Sequence, residues 1–451
     1  MPPEADPEAA PDLMRAAAAT PDHAELALSG TDRIDPVENT TGTPLLRGRS
    51  FQLLLSAQLL GSGGVWMLRM AADWLVLEIT GSPAAVGVLV ALQFLPLVFV
   101  GPLGGVIADR HDKRRLVLLA QTCAAAVAVA LAILTLTHTV VLWHLYVLAI
   151  GLGLIASVEM PARQVLVSEV VGDESLRTAI SLSNALSQGG GMVGPAVAGL
   201  VIAGLGLGWA FGLNALVCLA VVALLAAIRP THRAATVVRG PGQLREGFRF
   251  VVERPHLLMV VVLAGFMGAL GLNGPVVFSA FADRVWHTGA GGFGLYNSVS
   301  AVGALAGVLV AARLPRLRVR TVVIGAGLFG IAETIAAVMP THVSFIAMLA
   351  VVGATTMFFL TGAATFVQLA AHPSVRGRVL AIYSPVLLGG HACGGLLQGW
   401  LAEQLGVRVG LAATGVLALV ATSMVGLTLI CRSRRSRRDQ SGDARSPRQA
   451  P

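Results

Sequence analysis

Lysine is almost missing from this chain: of its 32 basic residues, 31 are arginine and one, Lys113, is lysine. A phosphate-cradling loop of the form G-x-x-x-x-G-K-[S/T] needs a lysine directly after glycine. Lys113 follows Asp112, so the chain carries no such loop and no ATPase of that kind. Charge of either sign is also scarce. Only 12% of residues are charged, about half the roughly 25% of soluble domains. Aromatics make up 5%, and the four cysteines (Cys123, Cys218, Cys393, Cys431) lie scattered in apolar segments without pair spacing. They read as small packing residues, not as disulfides or ligands. Zinc-protease and zinc-binding spacings are absent, so no metal and no cofactor is expected. Together these absences exclude an assembly of soluble domains, a self-contained ATP-driven pump and a disulfide scaffold. A membrane enzyme would need a catalytic constellation near one membrane face, and the sequence offers none.

What remains is apolar and segmented. The mean hydropathy is +0.76, 55% of residues are hydrophobic, and 52 are glycine. Apolar runs of about 20 residues, the length that crosses hydrocarbon as a helix, recur between short charged breaks. Twelve spans are expected, at about 51–79, 84–108, 116–137, 140–160, 176–203, 207–228, 256–281, 290–312, 319–339, 342–370, 379–402 and 407–431. The abundance of glycine suits helices that pack closely through small residues. Arginine and lysine fix the orientation. One side of the expected layout holds 29 of the 32 basic residues, the other only Arg284 and Arg408, and Arg69 lies within a span. By the positive-inside rule both termini are cytoplasmic, and an even number of spans agrees. Residues 1–48, rich in Pro, Ala, Asp and Glu, read as a disordered cytoplasmic tail without a signal peptide. The basic tail 432–451, placed directly after a last span, reads as an anchor to anionic lipid and not as a nucleic-acid site.

The spans repeat. Gly190, Gly194, Pro195 and Gly199 of the fifth span stand 200 residues before Gly390, Gly394, Gly395 and Gly399 of the eleventh. Gly105, ahead of one basic loop, matches Gly307 ahead of Arg313, Arg316 and Arg318 at nearly the same offset. Two related six-helix bundles, 49–228 and 256–431, are therefore expected on either side of a linker, 229–255. Parallel repeats of six helices belong to carriers that rock around a midplane site. Within the linker, residues 243–255 place Leu244, Phe248 and Val251 on one helical face. That face suits a short amphipathic helix on the cytoplasmic membrane surface, or simply a tether between the halves.

The sharpest motif follows the second span: Gly105-Val-Ile-Ala-Asp109-Arg110-His-Asp-Lys113-Arg114-Arg115. Gly105 permits close approach of a neighbouring helix. Asp109 can accept from the amides of a facing helix N-terminus, and Arg110 and Arg114 can pair with carboxylates at the same rim. The motif resembles the signature loop of the major facilitator superfamily, G-x-L-x-D-R-x-G-R-R, over a membrane part of about 50–431. The resemblance implies an all-α membrane protein of twelve helices in two pseudo-symmetric bundles, and a cytoplasmic gate latched by this loop. Asp112 stands where the family has glycine, and Ala311 replaces the acidic residue in the second half, which makes the latch one-sided. Gly190, Gly194, Pro195 and Gly199 resemble the fifth-span pattern of exporters in this superfamily. Proline removes one helical hydrogen bond and bends the axis; ordinary small-residue packing is the plainer reading. Trp66 to Leu77, Pro161-Ala-Arg163-Gln164, and Arg376-Gly-Arg378-Val-Leu-Ala-Ile-Tyr383 resemble the bacterial branch that includes the enterobactin exporter and macrolide efflux carriers. Arg163, Arg376 and Arg378 thereby join the expected gate. The branch implies export of a drug-like compound or siderophore from the bacterial cytoplasm across the inner membrane, by a monomer.

Charges inside spans cost roughly 2.5–3.5 kcal/mol each at a helix centre on insertion scales, so each needs a reason. Arg69 and Asp73 lie four residues apart and share a helix face. Asp73 is the first candidate for a proton-coupling carboxylate, because burial disfavours a carboxylate's charge and lets protonation alternate with substrate binding. A static ion pair near the outer interface is the alternative. Glu159 and Glu333 are further candidates. Glu159 pairs by spacing with Arg163, while the resemblance puts the helix that carries Glu333 at the periphery. Arg69, Gln93, Asn184 and Asn273 are candidates for the substrate path. The expected function is a secondary carrier, coupled to protons and exporting an amphipathic small molecule. A nutrient uniporter or importer and a non-transporting sensor or scaffold are the competing readings.

Overall fold

The computed structural model describes residues 48–171, 176–228, 243–314, 318–371 and 375–443. Among these residues the chain is built from α-helices, twelve of them long and apolar enough to cross a membrane. The first half comprises α1 (Arg49–Thr80), α2 (Pro83–Arg110), α3 (Lys113–Leu136), α4 (Leu142–Val171), α5 (Leu176–Leu205) and α6 (Leu207–Ala227). A short helix, α7 (Gln243–Val252), precedes the second half. That half opens with a broken span, α8 (Pro255–Gly271) and α9 (Gly274–Ala280), which ends in a π-helical turn, Phe281–Val285. It continues with α10 (Gly289–Ala312), α11 (Val319–Ala337), α12 (His342–Ala370), α13 (Arg376–Gln404) and α14 (Val407–Asp443).

The helix pairings repeat between the halves. α1 packs on α5 and α6, α2 on α4, and α3 on α4 and α6; their counterparts are α8 on α13 and α14, α10 on α12, and α11 on α12 and α14. The two most extensive pairings between halves, α2 with α13 and α5 with α10, are also related by the repeat, and α9 adds smaller contacts with α1 and α2. The 200-residue glycine offset has a packing cause. A Cβ added at Gly190 or Gly194 would meet the α1 backbone around Gly63, and one at Gly390 or Gly394 would meet the α8 backbone around Gly265 and Ala269. A Cβ at Gly199 would meet Gly294 of α10, and one at Gly399 would meet Gly87 of α2. Each glycine series thus binds its helix to one partner in its own half and to another across the interface. Gly206 and Gly406, again 200 residues apart, hold φ of 95° and 86° in the turns that follow, a region open mainly to glycine.

Three stretches depart from expectation. The fourth span runs to Val171 instead of ending near 160, with Pro161 inside the helix. Pro161 cannot donate to the carbonyl four residues back, and that carbonyl, on Ser157, is where Gly104 of α2 comes into contact. The seventh span is broken at Leu272–Asn273, because Asn273-Gly274-Pro275 combines a turn residue, a flexible residue and a missing donor. In α7, Phe248 and Val251 do not share one environment. Val251 is buried in the second half's core, and Phe248 is 61% exposed. Glu246 pairs with Arg378 of α13 at 2.6 Å, and Gly247 lies against the Arg378 backbone. Thus α7 docks on α13. The tails 1–47 and 444–451 and residues 229–242 lie outside the described residues.

The Gly199–Gly294 approach leaves no room for a side chain, so Gly199→Leu is expected to force α5 and α10 apart, an overpacking cost of about 1–3 kcal/mol. A Cβ at Gly291 would lie 3.6 Å from that of Ala203, within disulfide range. In a background free of native cysteines, the pair Ala203→Cys and Gly291→Cys should cross-link readily, and adding Gly199→Leu should abolish the cross-link. Undiminished cross-linking would contradict the packing described here.

Candidate functional site

The halves meet at the end opposite the basic loops. There Trp74 of α1 stacks on Phe293 of α10, with ring centroids 5.7 Å apart, beside the Gly199–Gly294 and Gly87–Gly399 approaches. Arg284, in the π turn, donates through Nη2 to the Gly81 carbonyl at 2.5 Å and pairs with Glu403 of α13 at 3.2 Å. Gly81 closes α1 with φ of 63°, so Arg284 ties the second half to the first turn of the first half. Sequence reading missed this seal, though Arg284 was one of only two basic residues assigned to that side.

The polar groups expected to gate the basic end are held within single halves. Arg114 donates to the carbonyls of Leu225, at 3.1 Å, and Ala226, where it caps the C-terminus of α6. Asp112, which departs from the family glycine, is the N-cap of α3: its carboxylate accepts from the Arg115 amide at 2.8 Å. Arg163 forms an ion pair with Glu159 and donates to Gln58 at 3.3 Å, and Gln121 donates to Glu159 at 2.6 Å. These four side chains join α1, α3 and α4. Gly105 is buried near the end of α2, Arg110 and Arg376 are exposed, and the Asp109 side chain lies outside the described residues. Pro195 is buried inside α5.

In the half of α1 toward the sealed end, Arg69 and Asp73 share a helix face without closing an ion pair. The Arg69 guanidinium lies 4.5 Å from the ring centroid of Phe94 and 5.4 Å from that of Trp66, contacts worth roughly 0.5–2 kcal/mol each depending on desolvation. The opposite half contributes His391 of α13, whose ring is 4.1 Å from Phe94. A cation, a phenyl ring and an imidazole thus stack from α1 through α2 to α13. Asp73 is 2% exposed, and its Oδ1 has no hydrogen-bond partner. Gln93 is buried and shares with Arg69 a small pocket between α1, α2, α3 and α4, walled by Leu68, Leu89 and Leu131. The structure therefore brings Arg69 and Gln93 into one pocket, which Asp73 does not line. Asn273 sits apart at the break of the seventh span, donating to the Ala269 carbonyl at 2.9 Å. The Asn184 side chain lies outside the described residues. Glu333 is 4% exposed, on a face of α11 turned into the second half, where it accepts from Thr414 at 3.2 Å and Gln398 at 3.5 Å. Among the described residues, no group of three or more His, Cys, Asp or Glu could hold a metal ion.

Arg284 and Glu403 are each about one-third exposed, at 32% and 31%, so their ion pair contributes roughly 0.2–1 kcal/mol. The bond from Arg284 to the Gly81 carbonyl adds about 1.5–3 kcal/mol for a charged donor. Arg284→Ala is expected to loosen the seal more than Glu403→Ala, because it removes both contacts. The yield of the Ala203→Cys, Gly291→Cys cross-link should fall in that order.

Comparison with known proteins agrees with this architecture. Residues 40–449 match the model of the family described as transmembrane secretion effector. The enterobactin exporter EntS of Escherichia coli O6:K15:H31 (strain 536 / UPEC) is 25% identical over 396 residues, covering 84% of this chain and 92% of that protein. EntS of Shigella boydii serotype 18 matches to the same extent. Among solved structures, an inward-facing, unoccupied bacterial homologue of the human lysosomal transporter Spinster superposes with a TM-score of 0.69 at 16% identity, over 84% of this chain and 96% of that one. The nucleoside transporter NupG gives 0.66 at 14% identity, over 84% and 98%. Broken helices, paired halves and a glycine-sealed interface thus converge with the sequence matches: the chain is a multi-pass membrane transporter of the major facilitator superfamily and belongs to its transmembrane secretion effector family.

Proposed function

We propose that this carrier exports an amphipathic small molecule, of drug-like or siderophore-like character, across the bacterial inner membrane in exchange for protons. The observation that carries the reading is Asp73. It is a buried carboxylate with an oxygen lacking any hydrogen-bond partner, one turn from an arginine whose charge is turned onto aromatic rings instead. An unpaired charge in such a place is costly, and a proton removes it. Substrate export is supported by the match to the enterobactin exporter over most of both chains, and an enzymatic role has no counterpart among the relatives, which are transporters.

With both termini placed in the cytoplasm by the arginine distribution, the Gly81, Arg284 and Glu403 seal closes the periplasmic end, and the conformation is inward-facing. In this state Arg110 is exposed and Arg114 is held on the end of α6, which suits an unlatched cytoplasmic loop. A substrate entering from the cytoplasm would reach the Arg69, Phe94 and His391 stack between the halves. The aromatic faces and the guanidinium suit a planar or anionic group on an otherwise apolar molecule. Closure of the basic end and release of the Arg284 seal would then expose the site to the other side. Residues 49–228 and 256–431 act as the two rocking bodies, in a monomer.

Purified protein in liposomes, given an imposed proton gradient and a panel of lipophilic cations, macrolides and catecholate siderophores, tests this. Proton release driven by one class of compound, and lost in Asp73→Asn, is the expected result. Substrate equilibration without proton flux would overturn antiport and favour a uniporter.

A further inference from the structure

The second half holds a buried polar cluster that the Asp73 mechanism does not use. Glu333 of α11 faces Thr414 of α14 and Gln398 of α13, all three less than 5% exposed. Both contacts go to one carboxylate oxygen, Oε1, from Gln398 Nε2 at 3.5 Å and from Thr414 Oγ1 at 3.2 Å, whose single proton is shared with the Leu411 carbonyl at 2.9 Å. The other oxygen, Oε2, is buried with no partner, and so is Oε1 of Gln398. Gln398 divides its amide, also donating to the Leu270 carbonyl at 3.2 Å in the last turn of α8. That turn leads directly into the break at Asn273, whose own Oδ1 is a third buried oxygen without a donor.

Counting donors decides what this cluster lacks. As a carboxylate, Glu333 would carry a full charge in apolar surroundings with one long and one moderate neutral hydrogen bond, and a lone oxygen facing none. The charged groups on the packed elements do not answer it. Arg408 of α14 donates to the Ala337 and Met339 carbonyls at 3.1 and 2.8 Å, and its guanidinium lies 5.2 Å from the Trp286 ring. Glu403 of α13 is engaged with Arg284. His342 of α12 is bonded to Tyr296 at 2.7 Å, and His256 of α8 and Arg318 and Arg320 of α11 lie at the far, basic end of their helices. A proton on Oε2 removes the charge and supplies a donor to a cluster short of donors. No other single particle available in water does both at so little cost in volume.

We propose that Glu333 is a proton-binding site of the second half, occupied by a proton in the inward-facing conformation and released to water when the half rearranges. Loss of that proton turns the long Gln398 contact into a charge-assisted bond, typically 2.7–2.9 Å. Gln398 is thereby drawn away from Leu270, and the change reaches the broken span that carries Arg284 and the periplasmic seal. The site rests on the reading of the chain as a carrier but not on Asp73 or on any particular substrate.

Infrared difference spectroscopy of the full chain in lipid, stepped through pH without substrate, tests this directly. Wild type should show the C=O stretch of a protonated carboxylic acid that survives at neutral pH. Glu333→Gln, which keeps the shape and removes the ionisation, should eliminate that band, whereas Asp73→Asn should leave it in place. Thr414→Val removes the hydroxyl that donates to Oε1 and should shift the band to higher frequency, a readout that does not require Glu333→Gln to fold. A spectrum unchanged in Glu333→Gln, or unshifted in Thr414→Val, would overturn the proposal. Antiport through Asp73 could still hold in that case, and conversely the band would persist if the export reading failed.

Discussion

Hydrocarbon supplies no hydrogen bonds, so every backbone amide and carbonyl inside the membrane must find its partner in the chain. That constraint makes the spans helical and makes each interruption expensive. The break within a span at Asn273 is consequently surrounded by side chains that answer freed backbone groups: Asn273 itself on Ala269, and Gln398 on Leu270. The same constraint makes backbone-to-backbone contact the natural way to join helices. With no hydrophobic driving force between apolar surfaces in lipid, association relies on close packing. Here glycine lets Gly199 face Gly294 and Gly399 face Gly87.

Those glycine contacts do two things at once. Within a half they fix α5 to α1 and α13 to α8, which makes each bundle a body that can move as a unit. Between halves they form a seam free of interlocking side chains, confined to the end that Arg284 ties shut. A seam of small residues, with a partly exposed ion pair above it, is a junction of modest strength. A rocking carrier needs such a junction, because the contact between its halves must open once per cycle. The aromatic contact of Trp74 with Phe293 adds area without a geometric lock.

The intramembrane charges divide along the same line. Arg69 lies against two rings of its own half, Trp66 and Phe94, of which Phe94 in turn touches His391 of the other half, while Asp73 one turn away retains an unanswered oxygen. Glu333 is enclosed within one half, far from any cation that pairs with it. Glu159 and Arg163, by contrast, neutralise each other and satisfy Gln58 and Gln121, which is the arrangement of a structural strut between α1, α3 and α4 in this conformation. Equal spacing in sequence, four residues in both Arg69–Asp73 and Glu159–Arg163, thus yields two unlike pairs. Neighbouring helices choose whether the arginine finds a carboxylate or a ring.

By itself the sequence determined the number of spans, their repeat and their family, because hydropathy, arginine distribution and glycine spacing are local properties that lipid reads one helix at a time. It also placed Arg69 and Asp73 on one face of a single helix, since helical periodicity suffices for residues four apart. The break at Asn273-Gly274-Pro275 was written there as well, but a long apolar run obscured it. Only the tertiary structure decided which end is closed, that Phe94 and His391 meet across the interface, that α7 docks on α13, and that Glu333 is buried against Thr414 and Gln398. Each of these depends on helices far apart in the chain, such as α11 with α13 and α14, whose facing sides are set by how the whole bundle packs and leave no mark in any one segment.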